Sequence, residues 1–96
     1  MTAYWISTYL DVTDTDKMAA YAALAGPAIT AAGGTFLARS EAALAYEAGR
    51  LERSVVIAFA SVEAAQACHD SPAYQEALAA LGDGAVRDLR VVPGVE

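Results

Sequence analysis

A chain of 96 residues suits one domain, 1–96. A domain this small buries only about two-thirds of the surface its unfolded chain exposes, so pairing with a second copy would add stability. Acidic residues outnumber basic ones 12 to 6, and the bases at Lys17, Arg39, Arg50, Arg53, Arg87 and Arg90 form no run, which argues against a nucleic-acid partner. The single cysteine, Cys68, excludes an intrachain disulfide, and no apolar stretch reaches the roughly 18 residues that cross a bilayer. With no signal-peptide pattern in Met1 to Ile6, the expectation is a cytoplasmic protein with no membrane partner.

Along the chain, residues 3–12 read as a strand: Tyr4, Ile6, Thr8, Leu10 and Val12 point one way, Trp5, Ser7, Tyr9 and Asp11 the other. Both sets carry large apolar side chains. Thr13 or Asp14 then caps a helix with Asp16 in its first turn. Met18, Tyr21, Ala22, Ala25, Ile29 and Ala32 recur at helical spacing, and Gly26-Pro27 predicts a kink or restart, because proline lacks an amide and crowds the preceding turn. Residues 35–40 form a second strand, and 41–52 are read as an extended arm. Residues 54–60 are the clearest strand, with Val55, Ile57 and Phe59 on one face and Val56, Ala58 and Ala60 on the other. Ser61 caps a helix with Val62, Ala65, Cys68 and His69 on its inner side. Ser71 caps another with Pro72 at its first position, where a missing amide costs nothing. Tyr74, Leu78 and Leu81 form that helix's apolar stripe, and 86–92 complete the set as a last strand.

Strand, helix, strand, strand, helix, strand is the order of the ferredoxin-like βαββαβ sandwich, an α+β fold. Helices cover one face of such a sheet. The second face, carrying Trp5, Tyr9, Phe36 or their neighbours, is then an apolar patch that a homodimer packing sheet against sheet would cover.

Several segments resemble the DUF1330 family of small bacterial proteins. They are Tyr4-Trp5-Ile6, Asp11-Val12, Pro27, Gly33-Gly34-Thr35-Phe36-Leu37-Ala38-Arg39, Glu47, Arg53-Ser54-Val55-Val56-Ile57 with Phe59, and Asp70-Ser71-Pro72-Ala73-Tyr74-Gln75. The resemblance implies a dimeric α/β barrel, a superfamily that includes cofactor-independent monooxygenases, lactone isomerases and haem enzymes. The chain departs from the family pattern at Ala58 and Ala60, where an acid and a proline are common, and at Ser40-Glu41, where a glycine pair is usual.

The polar residues to follow are Arg39, Glu47, Arg53 and Tyr74, read as ligand-binding candidates. Arg39 lies within an apolar strand, and a buried guanidinium needs a carboxylate or another anion. Either Glu47 serves as a structural counterion, or the arginine clamps a small anionic ligand. Tyr74 is read as core with its hydroxyl at the cleft rim. His69 and Asp70 are neighbours in sequence, about 100° apart on a helix, which is the wrong geometry for a dyad. Cys68 reads as a packed thiol. Asp11, Asp14 and Asp16 lack the glycine and distal glutamate of a calcium loop, and Gly33-Gly34 fits a helix end. No catalytic residue, metal site or cofactor is assigned. The functional expectation is a cleft for a small anionic or aromatic metabolite, in either a cofactor-independent enzyme or a non-catalytic binding or accessory protein.

Overall fold

The computed structural model describes residues 1–95. It contains β1 (Ala3–Val12), α1 (Thr15–Ala31), β2 (Thr35–Glu41), β3 (Arg53–Phe59), α2 (Val62–His69), α3 (Pro72–Leu81) and β4 (Ala85–Pro93). The strands form one antiparallel sheet in the order β2-β3-β1-β4. This is the predicted ferredoxin-like arrangement, with its second helix divided between α2 and α3.

Capping residues define the helix starts. Asp14 accepts hydrogen bonds from the amides of Asp16 and Lys17, both at 3.0 Å, and Ser61 accepts from the amide of Ala64. Ser71 joins α2 to α3: its hydroxyl donates to the Cys68 carbonyl at 2.7 Å and accepts from the Tyr74 amide at 3.2 Å. α1 continues through Pro27, so of the predicted kink or restart the helix does not restart there. The carbonyl that Pro27 leaves without its amide belongs to Ala23, an exposed residue that water can reach. Gly34 accepts the close packing of this helix end on β3. A Cβ there would lie 2.6 Å from Ile29 Cγ2 and 2.8 Å from Phe59 Cζ.

Alternation along the strands divides the sheet into two faces. Trp5, Ser7 and Tyr9 on β1 and Val55, Ile57 and Phe59 on β3 are buried beneath the helices. Tyr21, Ala25 and Ile29 of α1 and Tyr74, Ala77 and Leu81 of α3 complete this core. Trp5 is its hub, with its ring centroid 5.9 Å from that of Phe59 and 5.1 Å from that of Tyr74, the latter edge-on. Of the two sets expected for the uncovered face, Trp5, Tyr9 and Phe36 or their neighbours, the neighbours occupy it. Tyr4, Ile6, Leu10, Val56, Val86 and Val92 alternate with the core residues and point to the open side.

Two irregularities alter the simple alternation. The β1–β4 register shifts between Tyr9 and Asp11, and the β2–β3 register shifts between Phe36 and Ala38. Residues 42–52 form neither helix nor strand, in keeping with an arm. The arm turns through a hydrogen bond from the Gly49 amide to the Tyr46 carbonyl, and Arg50 Nη2 fastens it to the Leu10 carbonyl at 2.9 Å.

Candidate functional site

A small cavity of about 50 Å³ lies between α1 and the helix-side face of the sheet. Its floor is apolar, built from Trp5, Val55, Ile57 and Ile29, and its exposed lining residues, Ala22 and Arg39, mark the mouth. Three arginines line it: Arg39 from β2, Arg53 from β3 and Arg87 from β4. They are half of the six bases in the chain.

The distribution of counterions separates these arginines from the other bases. Lys17 pairs with Asp83, Arg50 with Glu52 and Arg90 with Asp88, all on the surface. Among the described residues, none of the three cavity arginines meets a carboxylate. Arg39 lies over the Phe36 ring, 4.3 Å from its centroid, a cation–π contact that orients the guanidinium without neutralising it. Arg53 Nε is buried with no hydrogen-bond partner, and so is Ser7 Oγ, whose residue is only 2% exposed. Buried polar atoms without partners are uncommon and costly, and these two share one cavity.

Arg87 is held differently. Its Nη1 donates to the Tyr21 hydroxyl and its Nη2 to the Tyr74 hydroxyl, each at 2.9 Å, and those two hydroxyls are 2.7 Å apart. A longer contact of 3.5 Å reaches Tyr9. The guanidinium carbon also lies 4.7 Å from the Tyr21 ring centroid. Burial alone would lower the pKa of Arg87, but contact with Tyr21 and Tyr74 outweighs it and raises the value, so the group stays a cation. Burial pushes the Tyr74 hydroxyl well above the ordinary phenol range, helped by Tyr21 and opposed by Arg87. Burial likewise raises Tyr9, again against Arg87.

Of the four ligand-binding candidates, Arg39 and Arg53 line the cavity. Tyr74 is fully buried behind Tyr21, with its hydroxyl on Arg87 and not at a rim. Glu47 is exposed on the arm with φ 52°, forms no ion pair with Arg39, and does not line the cavity. Ser7, Tyr9, Tyr21 and Arg87, which also line the cavity, were not among the candidates read from the sequence. The signal for Arg87 lay in the two-residue period of β4, which puts it with Ala85, Leu89 and Val91 on the helix side. For Ser7 it was a small hydroxyl between Trp5 and Tyr9 on a buried face. His69 lies beside Trp5 and Tyr74, its ring tilted 45° and 44° to theirs, with Nδ1 2.9 Å from Asp70 Oδ1. Cys68 is buried, and its thiol pKa is raised by burial, as for a packed thiol. No group of three metal-ligating side chains occurs among the described residues, and no helix is long and apolar enough to cross a membrane.

The family model for DUF1330, a domain of unknown function, matches residues 2–95. The chain belongs to this family. Comparison with curated proteins finds no match for this DUF1330 chain. Solved structures share its fold. A Rhodopseudomonas palustris protein of unknown function is 15% identical with a TM-score of 0.74, covering 99% of this chain and 83% of that one. SnoaB, a cofactor-independent oxygenase from Streptomyces nogalater, is 12% identical with a TM-score of 0.59, covering 99% and 92%. A Mycobacterium tuberculosis protein is 18% identical with a TM-score of 0.62, covering 100% and 97%. At these identities the likeness concerns the fold.

Proposed function

We propose that this DUF1330 protein binds a small organic anion with a planar apolar body in the cavity between α1 and the sheet. The observation that carries the reading is the contrast among its bases. Three pair with surface carboxylates, whereas the three that line one cavity meet no carboxylate among the described residues, in a chain of net charge −6. An anionic head group supplies the acceptor that Arg53 Nε and Ser7 Oγ lack, and the aromatic and aliphatic floor suits a flat body.

Among the described residues the lining contains no histidine, cysteine, carboxylate or lysine, so its hydroxyls, on Ser7, Tyr9 and Tyr21, have none of these groups beside them in the cavity to act as a base. Tyrosine hydroxyls and arginines stabilise an anion. Any chemistry therefore rests on the substrate's own reactivity once its charge is held, a mode compatible with cofactor-independent oxygenation, which SnoaB performs on this fold. The absence of a base equally favours the second reading, a non-catalytic binding protein. The apolar open face supports a homodimer packed sheet against sheet.

Titration calorimetry with benzoate tests the anion site. The unmodified protein should bind it, and Arg53→Met, which keeps the apolar stem, should weaken binding about tenfold or more. Equal affinity in the unmodified protein, Arg53→Met and Arg39→Met would overturn the reading.

A further inference from the structure

The hydrogen count around Arg87 assigns a role that the distances alone do not. A guanidinium only donates, and a phenolic oxygen offers one proton and two lone pairs. Tyr74 Oη has two partners, Arg87 Nη2 at 2.9 Å and Tyr21 Oη at 2.7 Å. Arg87 cannot accept, and Tyr74 is fully buried and away from the cavity lining. Its proton therefore goes to Tyr21. The reverse orientation would strand a buried hydroxyl proton with no acceptor.

Tyr21 Oη then accepts twice, from Tyr74 and from Arg87 Nη1 at 2.9 Å, and both its lone pairs are occupied. Its own proton has no acceptor among the described residues, although Tyr21 lines the cavity. The sheet register locates this donor relative to the arginines. Tyr9 pairs with Arg87 on β4, and one step beyond the Thr8↔Ser54 pair it stands across from Arg53 on β3. Arg53, Tyr9 and Arg87 form one row across three strands, so the Arg53 and Arg87 backbones are about 10 Å apart.

We infer that the Tyr21 hydroxyl donates a hydrogen bond to the ligand, and that the ligand is a carboxylate bearing a second acceptor oxygen, a carbonyl or phenolate, about one ring-width away. Tyr74 and Arg87 are positioning residues: they use up the lone pairs of Tyr21 and so direct its proton outward. The inference rests on the anion-site reading, with the carboxylate at Arg53 and the second oxygen at Tyr21.

Calorimetry with 3- and 4-formylbenzoate, each against the methylbenzoate of the same substitution, isolates the second oxygen, because formyl and methyl differ little in size while only formyl accepts. In the unmodified protein at least one formyl isomer should bind about tenfold more tightly than its methyl counterpart. Tyr21→Phe should bring that ratio close to one, with methylbenzoate binding reporting that the cavity is still formed. Tyr74→Phe should retain part of the preference. A ratio near one in the unmodified protein, or a preference that survives Tyr21→Phe, overturns the assignment while leaving the anion site intact. If neither formylbenzoates nor methylbenzoates bind the unmodified protein, the anion site itself falls, and this assignment with it.

Discussion

The two faces of the sheet are made from the same strands with similar numbers of large apolar residues, yet they have different fates. On the helix side, β1 presents Trp5, Ser7 and Tyr9, all buried, and three arginines gather against them. On the open side it presents Tyr4, Ile6, Thr8 and Leu10, half-buried or exposed, and the charges there, Asp88 and Arg90, neutralise each other. The difference teaches that apolar content does not assign a face its role. Covering helices turn one face into a core with a charged cavity, and their absence leaves the other suited to a partner.

Substitutions on the two faces should therefore have unequal effects. The largest is expected at Trp5, whose ring joins β3 to α3: Trp5→Ala should cost about 3–5 kcal/mol of folding stability, measured by denaturant unfolding. A cost below about 1 kcal/mol would show that the aromatic hub is not the centre of the core. Tyr74→Phe should cost about 1–3 kcal/mol, because it leaves Arg87 Nη2 without its acceptor. It should also change the alkaline limb. Burial raises the Tyr74 pKa in the folded state, so its contribution is complete below the unfolded tyrosine range near pH ~10 and is lost as pH rises through the folded value. Stability measured from pH 8 to 11 should fall less steeply in the variant, and identical slopes would remove Tyr74 from the alkaline response.

Gly34→Ala should cost about 1–3 kcal/mol by forcing a methyl against Ile29 and Phe59, read as a lower melting temperature. The smallest folding effect is expected on the open face. Ile6→Lys should change monomer stability by no more than about 0.5 kcal/mol, yet sedimentation at micromolar concentration should change from dimer to monomer. A dimer that survives the lysine would place the subunit contact elsewhere.

Much of the architecture was legible in the sequence because it depends on local chemistry. The caps at Asp14, Ser61 and Ser71, the proline at the start of α3 and the two-residue period of β1 and β3 each act within a few positions. The uninterrupted α1 was not legible, since the penalty at Pro27 depends on whether solvent reaches the Ala23 carbonyl. The site was legible in part: Arg39 and Arg53 stood out as charges in apolar strands. Ser7, Tyr9, Tyr21 and Arg87 did not, because their meaning arises only when β1, α1 and β4 are brought together over separations such as the 66 residues between Tyr21 and Arg87. Glu47 was singled out as a counterion by its charge and by the family resemblance, and the arm carries it away from the cavity.

The extra residue in β2 has a consequence of its own. Strict alternation from the inward-facing Phe36 would turn Arg39 to the open side, whereas the register shift at Leu37 restores it to the side of Phe36, where its guanidinium lies over that ring. One residue thus acts as a phase shifter for charge. Straightening that bulge with every residue kept would transfer a cation from the cavity to the opposite face at unchanged composition, whereas deleting Leu37 would leave Arg39 on the side of Phe36, so chains related to this one should not be compared by their arginine content without first aligning that bulge.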